Sequence, residues 1–281
     1  MPEAQPRKRV VHRGRVLRTE RIAPAMVRIV LHGEGLREFS AGRFTDHYVK
    51  MHFPPPGVEY ADPTDIPAIR RDHPREEWPR TRTYSVRGWD AETGQLTIDF
   101  VVHGTAGVAG PWAAAAQPGD EVVFSGPGGG YAPDAEADWH LLAGDKSALH
   151  AIAAALEAMP ADAVVRAFVE VDGPADEQPL VSPARVETTW LHRGARPVGE
   201  ALVEAVTGLE FPAGSPQVFV HGEAHFVREL RRYLRVDRAL APASLSVSGY
   251  WRRGADEEAW QATKGEWNSD PVPSAAPAGT G

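Results

Sequence analysis

Six consecutive residues, Arg82-Thr-Tyr-Ser-Val-Arg87, bring together two guanidinium groups, a phenol and two hydroxyls. On an extended chain alternate side chains share a face, so Arg82, Tyr84 and Val86 point one way and Thr83, Ser85 and Arg87 the other. An aromatic ring beside a planar cation is poorly suited to a core and well suited to a large, flat, anionic ligand. The same residues also fit a surface strand with a solvated arginine and a half-buried tyrosine.

Other stretches carry compatible chemistry. Gly104 to Gly110 runs into the helix start Pro111-Trp-Ala-Ala-Ala-Ala116, where free backbone N–H groups offer a phosphate seat. A flexible loop before a helix is the alternative. His103 ends the preceding strand, in register with the Arg82 strand, and is a candidate cofactor contact. Gly144-Asp-Lys-Ser147 and Gly222-Glu-Ala-His225 each follow a strand and precede a helix, the place where open parallel sheets take ligands. Neither carries G-x-G-x-x-G, and both also read as ordinary turns with N-cap residues. Gly249-Tyr-Trp-Arg-Arg-Gly254 puts two aromatics and two cations at a strand end, fit for stacking a flat ring system, for an anionic substrate, or for plain packing. His47 with His52, and His221 with His225, are the nearest pairs of metal-ligand type; no third ligand stands at zinc-like spacing and no metal site is expected. No G-x-S-x-G nucleophile motif is present.

The elements that must position these residues change character along the chain. Residues 15–22, 26–31, 45–53, 82–87, 95–103 and 121–125 alternate or are β-branched and predict strands. The Pro-rich residues 54–81 predict a long surface excursion with a short helix near Ala68 to Asp72. Many short strands with one helix predict an antiparallel barrel. Beyond Asp138, strands at 140–144, 164–171, 188–192, 217–221 and 245–251 interleave with helices at 147–159, 198–206 and 226–234, predicting a three-layer α/β domain with a parallel sheet. The expected organisation is a barrel domain at 10–134 and an α/β domain at 138–262, with flexible tails at 1–9 and 269–281 and a terminal helix around Trp260. The 281 residues suit two domains. A net charge of -8 argues against bulk nucleic-acid binding while leaving room for a local basic pocket. The lack of cysteine excludes disulfides, thiolate metal sites, iron–sulfur clusters and Cys nucleophiles. The sequence shows neither a secretory signal nor a membrane span, so a cytoplasmic protein is expected.

Taken in order, Asp46-His-Tyr-Val-Lys-Met-His-Phe53, Arg82 to Arg87, Asp99-Phe-Val-Val-His-Gly104, Gly107-Val-Ala-Gly-Pro-Trp-Ala113, Pro118-Gly-Asp120, Gly126-Pro-Gly128, Ala143-Gly-Asp145 and Gly249 to Gly254 resemble the siderophore-interacting proteins. These are FAD-dependent ferric-siderophore reductases related to ferredoxin–NADP reductase. The resemblance covers roughly residues 10–262. It implies a six-stranded antiparallel FAD-binding β-barrel followed by an α/β NAD(P)-binding-like domain. It assigns Arg82, Thr83, Tyr84 and Ser85 to the flavin and its phosphates, Asp99, Phe100, Val101, Val102 and His103 to the isoalloxazine, and Ala109, Gly110, Pro111 and Trp112 to the pyrophosphate. Asp145 and Ser147 would approach FAD, and Tyr250 with Trp251 would cover the far side of the pocket. Lys50, and by position Arg252 and Arg253, would hold an anionic substrate. Two departures stand out. Val108-Ala-Gly110 replaces the usual Pro-Ala-Ser, losing a hydroxyl. Asp145-Lys-Ser147 replaces Asp-Glu-Thr, reversing a charge at the nucleotide edge.

The implied activity is reduction of a ferric siderophore through FAD, with NADH or NADPH, or alternatively ferredoxin, as electron donor. A general flavin reductase serving a partner protein, and a ferric-siderophore binding protein without turnover, are the competing readings.

Overall fold

A computed structural model describes residues 10–102 and 107–269. The chain forms two compact units that divide between Gly129 and Gly130.

The first unit is a closed six-stranded barrel. Its strands are β1 (Val11–Ala23), β2 (Met26–His32), β3 (Tyr48–Phe53), β4 (Arg80–Asp90), β5 (Gln95–Val101) and β6 (Glu121–Gly128). They follow the order β1-β2-β5-β4-β3-β6, and every pair is antiparallel. Alternation decides the inside: Ile29 and Leu31, Val49 and Met51, Leu96, Ile98 and Phe100, and Val122 and Phe124 fill one core. Burying each such side chain is worth about 1.5–3 kcal/mol. The excursion between β3 and β4 holds helix α1 (Ile66–Asp72), slightly longer than expected because Asp65 caps it by accepting from the Ala68 N–H. Helix α2 (Ala109–Ala115) starts two residues ahead of Pro111. A register shift between Val86 and Gly88 leaves Arg87 in a bulge where β4 meets β5.

The second unit is built on a parallel sheet. Its elements are β7 (Trp139–Asp145), α3 (Leu149–Glu157), β8 (Val164–Val171), β9 (Arg185–His192), α4 (Glu200–Thr207), β10 (Pro216–Glu223), α5 (Ala224–Arg232), β11 (Leu245–Trp251) and α6 (Glu257–Ser269). The order β11-β10-β7-β8-β9 makes β7 the centre, with the direction of winding reversing beside it. Leu141, Leu142 and Ala143 of β7 form an apolar run rather than an alternation because both faces are covered. Leu142 packs with α3, while Leu141 and Ala143 pack with α4 and α5. This is the expected three-layer arrangement. Strand β9 begins three residues before the predicted Thr188, because Arg185 already pairs with Val164 of β8. Residues ahead of β7 are tied to this unit: Asp134 donates its N–H to Gln217 Oε1, and Gln217 Nε2 donates to the Ala132 carbonyl. In α6, Trp260 is 1% exposed and lies over Gly249, where any Cβ would fall 2.8 Å from its ring. The terminal helix is therefore packed onto the sheet.

Candidate functional site

In the barrel, ladder register sorts the candidate residues into two faces. Arg82 lies opposite Met51 and Tyr84 opposite Val49, on the core side of β3 and β4. The Tyr84 ring sits 4.4 Å from Phe100, Phe100 5.6 Å from Trp112, and Trp112 5.5 Å from Phe53. Tyr84, Val102 and Trp112 are only partly buried against the core, so the Tyr84 and Trp112 rings reach the surface over a fully buried Phe100. Arg82 donates to the Thr81 carbonyl at 2.7 Å. Ala109 is buried in the barrel core, while Gly110 and Pro111 are half-buried at the start of α2. His103 lies outside the described residues.

Thr83 and Ser85 face the other way, opposite Lys50 and Tyr48. Lys50 also pairs with Ser125 of β6, so Lys50, Thr83, Ser85 and Ser125 share one outward polar face. His52 extends it: its Nε2 is 3.2 Å from Ser125 Oγ, and Thr81 Oγ1 is 3.3 Å from its Nδ1. Burial, with Arg70 and Lys50 nearby, lowers the His52 pKa to about 4 and keeps the ring neutral. Asp99 points outward from β5 into a bidentate ion pair, receiving Arg28 Nε and NH2 at 2.8 Å each. Its carboxylate braces β2 against β5, and Val101 beyond it is half-buried.

In the α/β unit the candidates meet at the carboxyl ends of the strands. Asp145, the last residue of β7, is buried and receives four hydrogen bonds. Ser147 donates its N–H (2.8 Å) and hydroxyl (2.5 Å) to Oδ1, while the Glu223 N–H (2.8 Å) and Trp251 Nε1 (2.9 Å) donate to Oδ2. Burial pushes its carboxyl pKa up against the pull of these donors. Glu223, ending β10, continues the chain of contacts by accepting from the N–H groups of His225 (2.7 Å) and Arg253 (3.1 Å). The Arg252 and Arg253 side chains are exposed just beyond. Tyr250, on the other side of β11 from Trp251, has its hydroxyl 3.0 Å from His221 Nδ1, whose Nε2 is 2.9 Å from Ser246 Oγ. The imidazole stacks on Phe219 at 3.7 Å. Burial, assisted by Lys264, lowers the His221 pKa to about 3.

The charge reversal expected at Lys146 is neutralised. Its Nζ is buried and lies 2.6 Å from Asp172 Oδ2 and 3.7 Å from Asp176 Oδ1. Glu223, Asp172 and the Arg28–Asp99 pair had not been singled out. Glu223 stood inside a recognised turn, and Asp172 directly follows a predicted strand, which are the signals that mark them. Among the described residues no group of three or more potential metal ligands converges, and no helix is long and apolar enough to cross a membrane.

Residues 15–131 match the family described as Siderophore-interacting FAD-binding domain, and residues 137–254 match the family described as Siderophore-interacting protein. The chain belongs to the siderophore-interacting protein family. It is 34% identical over 250 residues to the ferric vibriobactin reductase ViuB of Vibrio cholerae, covering 87% of this chain and 90% of that one. It is 31% identical over 241 residues to an NADPH-dependent ferric-chelate reductase of Escherichia coli, covering 84% and 91%. The solved structure of the siderophore-interacting protein SipS from Aeromonas hydrophila superposes with a TM-score of 0.80 at 30% identity, covering 93% of this chain and 99% of that one. A ferredoxin NADP+ reductase from Neisseria gonorrhoeae shares the fold at 12% identity, with a TM-score of 0.60 over 86% of this chain and 99% of that one. The siderophore-interacting proteins thus share with this chain a barrel followed by a ferredoxin-reductase-like α/β unit.

Proposed function

We propose that this protein is an FAD-dependent oxidoreductase that reduces the Fe(III) of a ferric siderophore with electrons from a nicotinamide nucleotide. The observation that carries the reading is the pair of half-exposed rings Tyr84 and Trp112, packed on the buried Phe100 with Arg82 on the same side of its strand, on a barrel whose sequence matches an FAD-binding family. The donor set fits that cofactor: a flat aromatic surface for a ring system, a guanidinium for phosphate, and hydroxyls at Thr83 and Ser85 for polar edges. Bound FAD supplies the conversion of a two-electron hydride into single electrons.

The protein's own residues bind and orient. Arg82, Thr83, Tyr84 and Ser85 hold the cofactor, together with the segments Asp99 to His103 and Ala109 to Trp112. Asp99 acts by bracing its strand through Arg28. Asp145 serves the site by fixing the Ser147 turn and the Trp251 indole. Lys50, Arg252 and Arg253 attract an anionic ferric complex. Siderophore oxygens suit Fe(III) much better than Fe(II), so one-electron reduction loosens the metal without protein ligands to iron. The relatives' names as ferric vibriobactin and ferric-chelate reductases support the substrate class. The composition of the chain supports a cytoplasmic site of action.

Anaerobic bleaching of the purified yellow protein by NADH or NADPH, followed by recovery of the oxidised spectrum on adding ferric siderophore but not the iron-free ligand, is the expected result. A reduced protein that ferric siderophore leaves bleached would sink the reading.

A further inference from the structure

In open parallel sheets that take dinucleotides, the strand after the first carries the residue that meets the adenosine ribose. A carboxylate there accepts the 2′-hydroxyl of NAD, whereas an arginine receives the 2′-phosphate of NADP. Here the first strand is β7, its neighbour in both sequence and space is β8, and the residue directly after β8 is Asp172.

The surroundings of Asp172 favour the hydroxyl. Lys146 Nζ donates to Oδ2 at 2.6 Å and Arg193 donates to Oδ1. The side chains of Asp172 and Arg196 are 41% exposed and that of Arg193 30%, against 11% for Lys146, so the carboxylate reaches solvent among guanidinium groups that are each already paired. Lys146 is held from behind by Asp176 as well. Nearby, Arg196 is bound by Glu200 at 3.2 Å and Glu204 at 2.6 Å, and His192 lies 2.6 Å from Glu177. Asp172, Asp176, Glu177, Glu200 and Glu204 thus outnumber Lys146, Arg193 and Arg196 at this end of the sheet. A carboxylate has about four acceptor positions, so two donors leave Asp172 room for a ribose hydroxyl. A 2′-phosphate would instead face a cluster of carboxylates whose cations are already engaged.

We propose that Asp172 recognises the ribose 2′-hydroxyl and makes this protein select NADH over NADPH. The inference rests on the reading that a nicotinamide nucleotide is the donor, and it sets this chain apart from the Escherichia coli relative named as NADPH-dependent.

Calorimetric titration of the full-length, FAD-loaded protein with 5′-AMP and with 2′,5′-ADP tests it, alongside anaerobic flavin reduction by NADH and NADPH. The wild type is expected to bind 5′-AMP about tenfold tighter or better, and Asp172→Asn to narrow the gap to within about threefold. Equal or tighter binding of 2′,5′-ADP by the wild type overturns the proposal without any variant. So does a folded Asp172→Asn protein that keeps the full preference. If neither nucleotide binds, yet dithionite-reduced protein is reoxidised by ferric siderophore, this inference falls and the reductase reading stands. A clear 5′-AMP preference in a protein that ferric siderophore never reoxidises has the opposite meaning.

Discussion

Trp251 donates its indole N–H to Asp145 Oδ2 at 2.9 Å, joining two strands that are not neighbours. Strand β10 lies between them, and its Glu223 N–H donates to the same oxygen at 2.8 Å. One buried carboxylate therefore gathers the ends of three parallel strands where the candidate site lies. Asp145→Asn presents an amide N–H to groups that are themselves donors. It should lower unfolding free energy by about 2–4 kcal/mol, read from urea denaturation, and alter Trp251 fluorescence. Unchanged stability would remove Asp145 from this role.

Gly199 gives a second test. Its φ is +87°, and a Cβ would meet the Phe226 side chain at 2.3 Å. Its N–H also donates to the buried Glu170 carboxylate at 2.9 Å. Gly199→Ala should cost about 1–3 kcal/mol or more, measured as a shift in urea midpoint at constant slope.

Acid sensitivity follows from two neutral histidines. His221 and His52 titrate near 3 and 4 when folded, against 6.5 for the ordinary imidazole. Between those limits the unfolded chain binds the extra protons, so stability is complete above pH 6.5 and is lost as pH falls toward 4. Each group contributes a slope of about 1.4 kcal/mol per pH unit. The raised carboxyl pKa values of Asp145 and Glu170 act in the opposite sense, so the comparison must be between variants. His52→Gln should reduce the measured slope by about that single contribution, followed by urea titration from pH 7 downward.

Lys50 and Arg82 stand on opposite sides of the β3–β4 ladder, and although Lys50 shares its side with Thr83 and Ser85, removing its ammonium leaves their hydroxyls, the aromatic rings and Arg82 in place. Arg82→Ala should lower FAD retention by about tenfold or more, seen as loss of flavin absorbance after gel filtration. Lys50→Ala should keep its flavin and bind an anionic ferric siderophore several-fold more weakly, about 1 kcal/mol, with the difference shrinking in salt. Equal affinity would remove Lys50 from substrate binding.

Period and punctuation make both architectures legible in the sequence. The alternation in β2, β3 and β5 dictated the barrel, and the apolar run Leu141 to Ala143 of β7 announced a strand covered on both faces. The register of His103 with the Arg82 strand lies outside the described residues, and the contact of Tyr84 with Phe100 was not anticipated. Less accessible was the destination of charge. Asp145 looked like a ligand contact in a βα turn, yet its four hydrogen bonds are internal: two come from Ser147 beside it, and the other two from Glu223 and Trp251, 78 and 106 residues away. Lys146 looked like a reversed charge for the same reason: Asp172 and Asp176 are adjacent only after β8 is laid beside β7. Local spacing carries no information about such partners. The bulge that displaces Arg87 is likewise not legible in alternation alone.

The closure of the barrel has a bearing on synthesis. Strand β1 pairs with β6, Val11 standing opposite Ser125, so the first strand made keeps one edge open until the last has emerged. At about 5–20 residues per second that interval is on the order of ten seconds. Throughout it β1 displays Arg13, Arg15 and Arg18, exposed cations along an edge that would otherwise invite a neighbouring nascent chain. In the closed barrel Arg13 and Arg15 lie against Glu121 of the strand that finally arrives, so the residues that deter the wrong partner greet the right one.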